Sequence, residues 1–290
     1  MSDTIQGTFH FHSTYSHDGR NSLAEIAASL QRAGYSFCVM TEHFEDLDEP
    51  KFARYVQETK EASCDTRFIF IPGIEVHLAG VDTIMFPVQE YEPIRYLADG
   101  GSDTATSVFK VVAHPSKYPF DKIVRHLETF RIDAIELWNQ QADSSYIPPF
   151  QFLELVHTTE WRNQYRYFFG CDLHSAKLAV ANVIVMDKPG AISADAIVQC
   201  LKEGSFTARN LVTGIEYRNG SPRTDFSSWL KAIRARSYYR GRILRKIRSG
   251  LRSAYKKLPR YIQRRLNDVK NVAAASRSAP RSSATRSARR

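Results

Sequence analysis

Short apolar runs alternate with amphipathic helical stretches along the chain as far as about residue 203. The first run holds Phe9-His10-Phe11-His12. On a strand, residues two apart point to one side, so both histidines are expected to face one spot. A helix follows. Ser22 with Glu25 is a capping box, Leu23, Ile26, Ala27, Leu30 and Ala33 keep helical spacing, and Gly34 is a natural stop. Residues 36–41 read as the next strand, which makes a β-α-β crossover and predicts parallel pairing. Residues 51–62 form a second helix and residues 68–76 a third strand, with residues 81–88 another strand candidate. Residues 98–107 read as a loop, 110–114 as a strand, 120–130 as a helix and 134–138 as a strand. Helix 150–161, strands 167–171 and 182–186 and helix 194–203 complete the pattern, and there is no internal repeat.

Where these runs stop, metal-ligand residue types stand. Residues 35–43 end in Thr41-Glu42-His43, and the third strand ends in Pro72-Gly73-Ile74-Glu75. Val111-Val112-Ala113-His114-Pro115 ends in histidine, and Phe168-Phe169-Gly170-Cys171-Asp172-Leu173-His174 in an aspartate with a histidine two further on. Turn chemistry alone explains Gly, Asn or Asp at a strand end, but not repeated His and Glu. In barrels of parallel strands the C-terminal strand ends converge on one mouth. Imidazoles and carboxylates gathered there suit zinc, manganese or iron. For His10 and His12 taken alone, an exposed edge strand is the competing reading.

The ordered set His-x-His with Asp18-Gly19 downstream, Glu42-His43, Gly73-Ile74-Glu75, Ala113-His114-Pro115 and Cys171-Asp172-Leu173-His174 resembles the polymerase and histidinol phosphatase (PHP) family. The resemblance covers roughly the first two hundred residues and is specific as a set, although each motif alone is weak. It implies an α/β fold, a distorted (β/α)7 barrel of the PHP type, with up to three metals at the C-terminal rim. It implies a metal-dependent phosphoesterase that hydrolyses a phosphate ester through a metal-bound hydroxide. By the same resemblance His10, His12, Glu75 and Asp172 hold one ion, and Glu75 bridges to a second held by His114. Asp18, His43 and His174 hold a third. The resemblance likewise makes Glu75 and Asp172 the expected catalytic carboxylates. Many family members carry a further histidine between the Gly-Ile-Glu and Ala-His-Pro motifs. Here only His77 lies there, with Asp82 a second candidate, so two or three divalent ions, zinc, manganese or iron, are expected. His17 competes with its neighbour Asp18, which fits the family spacing better.

Substrate contacts are less legible. Arg20, Lys117, Lys177 and Arg209 lie near motifs or in late loops and offer phosphate partners, with solvated surface charge as the plainer reading. Trp138 either stacks on a ring or packs, and His126 and His157 read as packing or surface histidines in helices.

Composition divides the chain. The 290 residues are 43% hydrophobic and carry a net charge of +9, enough for one sizeable core. From Arg223 onward there are 21 Lys and Arg against two acids, Asp225 and Asp268, so the preceding residues are net acidic. This predicts a PHP metallo-phosphoesterase domain over 1–222, a basic amphipathic helical tail over 223–272 and a disordered Ser/Arg/Ala-rich tail over 273–290. Phe226, Trp229, Leu230 and Ile233, then Leu244, Ile247, Leu251, Tyr255 and Leu258, supply the apolar face. Three readings of that helix stand: it lies on an anionic membrane surface, binds nucleic acid through phosphates, or docks on the acidic body. Residues 1–9 are polar and no stretch reaches transmembrane length, so a cytoplasmic protein, at most peripheral to the membrane, is expected. Cys38, Cys64, Cys171 and Cys200 form no metal or disulfide pattern. The expected partner is a phosphorylated small molecule or nucleotide. A nuclease or nucleoside-bisphosphate phosphatase acting on nucleic-acid ends, and a catalytically silent PHP binding module, are the alternatives.

Overall fold

The computed structural model describes residues 3–66, 68–102, 108–218 and 221–222. The two tail segments predicted from residue 223 lie outside the described residues, as do residues 103–107 of the predicted loop. All described residues fall within one compact unit, Met1–Phe226.

Strand β1 (Thr4–Phe11) opens the chain and helix α1 (Leu23–Arg32) follows it. The capping box forms as expected: the Ser22 side chain accepts from the Glu25 amide, and the Glu25 carboxylate accepts from the Ser22 amide. Leu23, Ile26, Ala27 and Leu30 form the buried stripe of α1. Strands β2 (Phe37–Met40) and β3 (Glu42–His43) come next, then helix α2 (Glu49–Thr66). Strands β4 (Ile69–Ile71), β5 (Ile74–Leu78) and β6 (Val81–Phe86) precede helix α3 (Glu92–Ala98). Then follow β7 (Phe109–Val112), α4 (Phe120–Thr129), β8 (Ala134–Asn139), α5 (Phe150–Thr158), α6 (Trp161–Gln164) and β9 (Arg166–Gly170). The last elements are β10 (Asn182–Asp187), α7 (Ala194–Glu203), β11 (Thr207–Asn210), β12 (Glu216–Arg218) and β13 (Ser221–Pro222).

The strands form a seven-stranded sheet in the order β13-β12-β11-β10-β1-β2-β4 and a six-stranded sheet in the order β3-β5-β6-β7-β8-β9. β1 and β2 pair in parallel, as the crossover predicts. The chain passes from one sheet to the other between β2 and β3 and again between β4 and β5. A second seam joins β1 to the segment after β9. The Cys171 amide donates to the Phe9 carbonyl at 2.9 Å, Leu173 to His10 at 3.3 Å, and His12 to Leu173 at 2.9 Å. The aromatic core spans the seam. Phe9 of β1 packs on Phe168 of β9 at 4.6 Å and on Phe86 of β6 at 5.9 Å, and Phe168 meets Phe206 at 4.8 Å. Each such buried ring contributes about 2–3 kcal/mol relative to exposure.

The pattern departs from strict β/α alternation. β5 and β6 form an antiparallel hairpin, and β6 is antiparallel to β7 as well. Ala79 and Gly80, both at positive φ, make the tight turn between β5 and β6, so no helix intervenes. The strand expected over residues 68–76 is two strands, because Pro72 supplies no amide to a ladder and the chain changes sheet there. The helix expected over 150–161 is split into α5 and α6. α3, β11 and β12 are short and were not signalled; β10 to β13 extend the larger sheet by antiparallel pairing.

Candidate metal centre

The ligand-type residues stand at or near strand ends: His10 and His12 at the end of β1, His43 at the end of β3, Glu75 near the start of β5, and His114 and Asp172 just beyond β7 and β9. His10 is not part of a regular strand alternation. The pairing of β1 with β2 shifts register between Phe9 and Phe11, and His10 between them has φ 70°. That bulge, rather than a simple two-residue repeat, turns His10 toward the same point as His12. Five described non-glycine residues have positive φ, and three of them, His10, His114 (29°) and Asp172 (53°), are ligand candidates. Each such conformation costs roughly 1–3 kcal/mol and persists where its surroundings over-determine it.

The side chains converge. His10 Nε2 lies 3.5 Å from both Glu75 Oε2 and Asp172 Oδ1. His12 Nε2 lies 3.4 Å from Asp172 Oδ1 and 3.7 Å from Glu75 Oε2. His114 Nε2 is 2.8 Å from Glu75 Oε1. His43 links the groups, with Nδ1 3.4 Å from Glu75 Oε2 and Nε2 3.5 Å from Asp18 Oδ1. His174 Nε2 completes the outer part at 2.9 Å from Asp18 Oδ2. Asp18 reaches this place through a turn in which a Cβ on Gly19 would stand 1.8 Å from the Ser13 carbonyl oxygen. All eight predicted ligands are therefore brought together. His17 is not among them: its Nδ1 is 2.8 Å from Asp46 Oδ2, on an exposed side chain.

The donor set fits divalent cations. His10 Nε2, His12 Nε2 and His114 Nδ1 are buried without a hydrogen-bond partner. Two atoms each about 2.1 Å from one tetrahedral ion stand about 3.4 Å apart, close to the contacts that His10 and His12 make with Glu75 and Asp172. Four groups have ligand atoms within 4.8 Å of one another: His12, Asp18, His43 and His174; His10, His114 and Asp172; His10, His12 and Glu75; and Glu75, Asp82 and His114.

The last group brings in Asp82, whose Oδ2 is 3.7 Å from His114 Nε2. His77 does not enter any group; its Nδ1 is 2.7 Å from Asp82 Oδ1. The Tyr118 hydroxyl donates to Asp82 Oδ2 at 2.5 Å. Two buried glutamates support the histidines. Glu136 stands 3.0 Å from His10 Nδ1. Glu42 accepts from the Ser13 amide, the Ser13 hydroxyl and the Ser16 hydroxyl, and Ser16 Oγ in turn faces His12 Nδ1 at 3.4 Å. The role of Glu136 was not read from the sequence; the available signal is a lone charge inside the apolar run Ala134-Ile135-Glu136-Leu137-Trp138.

Burial and charge oppose each other here. Burial pulls His10 down, but Glu136, Asp172 and Glu75 outweigh it and hold the imidazole well above its ordinary value. Burial prevails at His12 and pushes it down to about 4, against the hydrogen bond it donates to Asp172 when protonated. Burial raises Glu75 and Asp172, yet His10 and its neighbours overcome it and keep both carboxylates well below the usual range. Glu42 is raised by burial despite its serine donors.

A cavity of about 290 Å³ opens on the cluster, lined by Asp18, His43, Glu45, Glu75, His77, Asp82, His114, Lys117, Asp172 and His174. Of the four basic candidates, Lys117 faces it. Arg209 pairs with Glu216 at 2.6 Å, while Arg20 and Lys177 are exposed. Trp138 is fully buried, donates to the Ser144 carbonyl and packs edge-on against Phe169, so it is a core residue. His126 is buried in α4 against Phe130, with Nε2 2.9 Å from Thr83 Oγ1; His157 lies in α5. Among the described residues no helix is long and apolar enough to cross a membrane.

No protein-family model matches the chain, and no curated protein matches it. Solved structures do. A two-domain protein from Bacteroides vulgatus, described as containing a predicted PHP-like metal-dependent phosphoesterase, matches at TM-score 0.50 and 15% identity. The match covers 71% of this chain and 65% of that protein, so the chain spans about two thirds of its length. A protein from Bifidobacterium adolescentis, provisionally named a metal-dependent phosphoesterase, matches at TM-score 0.42 and 13% identity, over 67% of this chain and 96% of that one. An amidohydrolase from Chromobacterium violaceum, with bound sulfate and no metal, matches at TM-score 0.44 and 14% identity, over 76% and 99%. The first of these likenesses establishes a shared mixed α/β fold. PHP-like phosphoesterases are thus among the structural neighbours of this chain, which also carries a His/Asp/Glu cluster able to bind metal.

Proposed function

We propose that residues 1–222 are a metal-dependent phosphoesterase domain that hydrolyses a phosphate ester with two or three divalent ions, zinc, manganese or iron. One observation carries the reading: His10 Nε2 and His12 Nε2 are buried without hydrogen-bond partners beside the carboxylates of Glu75 and Asp172, with His114 Nε2 2.8 Å from Glu75 Oε1. His10, His12, Glu75 and Asp172 would hold one ion, Glu75, Asp82 and His114 a second, and Asp18, His43 and His174 a third. Bound there, divalent ions supply Lewis acidity toward phosphoryl oxygens and acidify water at the cluster. Lys117 faces the same cavity and would pair with a phosphoryl oxygen. His77 and Tyr118 hold Asp82 from either side. The buried thiols are unsuited as nucleophiles, because burial pushes Cys38 up to about 12 and raises Cys171 as well.

This reading takes strands of the two sheets as parts of one distorted (β/α)7 barrel of the PHP type, and the backbone bonds between residues 9–12 and 171–173 support it. Nucleic-acid ends or nucleoside bisphosphates are the second substrate reading. The excess of 21 basic over two acidic residues from Arg223 onward favours it, and would also hold the enzyme at an anionic membrane. Elemental analysis of full-length protein purified without chelator, with hydrolysis of small phosphomonoesters and 5′- or 3′-phosphorylated oligonucleotides, tests both. At least two ions per chain and hydrolysis abolished by chelator are expected. Less than one ion after reconstitution with zinc or manganese, or hydrolysis indifferent to chelator, would overturn the proposal.

A further inference from the structure

Glu136 is fully buried, yet no lysine or arginine pairs with it in the contacts of the described residues. A carboxylate in that position is costly unless its oxygens are satisfied. Its partners are specific. Oε1 faces His10 Nδ1 at 3.0 Å, and Oε2 accepts from the His114 backbone amide at 2.6 Å and from Asn139 Nδ2 at 3.0 Å. The Asn139 amide is itself oriented, since its oxygen accepts from the amides of Gln141 and Ala142. The backbone makes room for this arrangement. β8 is bulged between Glu136 and Trp138 against β9, and a Cβ on Gly170 would stand 1.5 Å from Glu136 Oε1.

Both metal-candidate residues that Glu136 touches have positive φ, 70° at His10 and 29° at His114. In the neutral imidazole, a carboxylate accepting from His10 Nδ1–H leaves Nε2 without a proton. That Nε2 is the buried, partnerless atom between Glu75 and Asp172. The same carboxylate holds the His114 amide, and so the backbone turn that aims His114 at Glu75.

We infer that Glu136 is a positioning residue, which fixes His10 as its Nδ1–H tautomer and clamps His114, in the pocket that Gly170 leaves open. The inference rests on the phosphoesterase reading only for what the positioned nitrogens bind. Outer partners of this kind typically alter metal affinity about 10- to 100-fold.

The test uses the full chain with three variants. Glu136→Gln keeps the shape but turns an NH2 toward an amide donor, Glu136→Met removes both acceptors, and Gly170→Ala crowds the carboxylate without removing it. Zinc affinity is measured by competition with a chromophoric chelator, and the visible spectrum of the cobalt(II) form reports ligand geometry. Long-range proton–nitrogen imidazole spectra report which ring nitrogen of His10 carries hydrogen. Expected are an Nδ1–H His10 in the wild type, zinc binding weakened about 10- to 100-fold in Glu136→Met, a smaller loss in Glu136→Gln, and a changed cobalt spectrum in each. Should Glu136→Met or Gly170→Ala fail to fold, the nearly isosteric Glu136→Gln decides. Wild-type zinc affinity and an unchanged cobalt spectrum in the folded variants, or an Nε2–H tautomer of the neutral His10 ring in the wild type, would sink the inference. If the wild type binds neither zinc nor cobalt, the phosphoesterase reading falls. The imidazole spectrum of the metal-free protein at alkaline pH then settles Glu136 by itself.

Discussion

The inner and outer halves of the cluster use the same residue types under different physics. The side chains of His10, His12, Glu75, His114 and Asp172 are at most 9% exposed, whereas those of His43, His174 and Asp18 are 18%, 27% and 40% exposed. In the inner half water screens little, so burial and neighbouring charge set each group's protonation: His12 is pushed down to about 4 while His10, beside three carboxylates, is held up. The inner half also has backbone strain at His10, His114 and Asp172 and is tied by Glu136. The outer half sits on the loop holding Asp18, at the end of β3 and beyond β9, where side chains can adjust. The difference separates a pre-set floor from an adaptable mouth. Net negative charge in the floor is tolerated best when a cation is bound, while the mouth lines the cavity where the proposed substrate would arrive.

Removing charge from the floor should have the largest effect. Glu75→Gln and Asp172→Asn should each lower hydrolysis at least about a thousandfold, because several kcal/mol of charge stabilisation leave with the ions. Circular dichroism should show the fold retained, and near-wild-type activity with metal still bound would place the site elsewhere. In the mouth, Asp18→Asn or His174→Gln should cost about 10- to 100-fold in activity and one ion per chain, with the inner ions retained; loss of every ion would erase the distinction between the halves. Ions bound at a hundred times their dissociation constant stabilise by about 2.7 kcal/mol, so stripping them should lower the melting temperature by about 5–10 °C. Differential scanning calorimetry checks this, and Glu75→Gln should show little of the shift.

A buried histidine outside the cluster sharpens the contrast. Burial pushes His126 down to about 4. An unfolded histidine titrates near 6.5, so below that pH the unfolded chain holds the extra proton, and stability falls as pH drops from about 6.5 toward 4, by up to about 3 kcal/mol. His126→Gln should lose that share of the acid sensitivity in urea titrations of metal-free protein. An unchanged pH slope would assign the sensitivity to the cluster. The smallest effect is expected from ending the chain at Pro222: hydrolysis of small esters should stay within about twofold, while binding of the full chain to nucleic acid or anionic vesicles should weaken with salt. Precipitation or metal loss on truncation would instead make the apolar face from Phe226 to Leu258 part of the core.

Much was legible in the sequence because it is local. The capping box at Ser22 and Glu25, the span of α7 and the crossover from β1 to β2 depend on near neighbours and periodicity, and they form as read. The ligand types at strand ends were also visible, since a charged or imidazole group closing an apolar run has few structural reasons to be there. Tertiary structure decided how those ends meet. The bulge at His10, the antiparallel pairing of β6 with β7, the approach of Asp82 to His114 and the space at Gly170 for Glu136 all arise from contacts between segments far apart in the chain. Periodicity carries no record of such contacts, because it reports which face of an element is buried and not what lies against it. The chain therefore announces a metal-ligand chemistry residue by residue. Only the packing of β1, β5, β7, β8 and β9 determines which nitrogen faces which carboxylate.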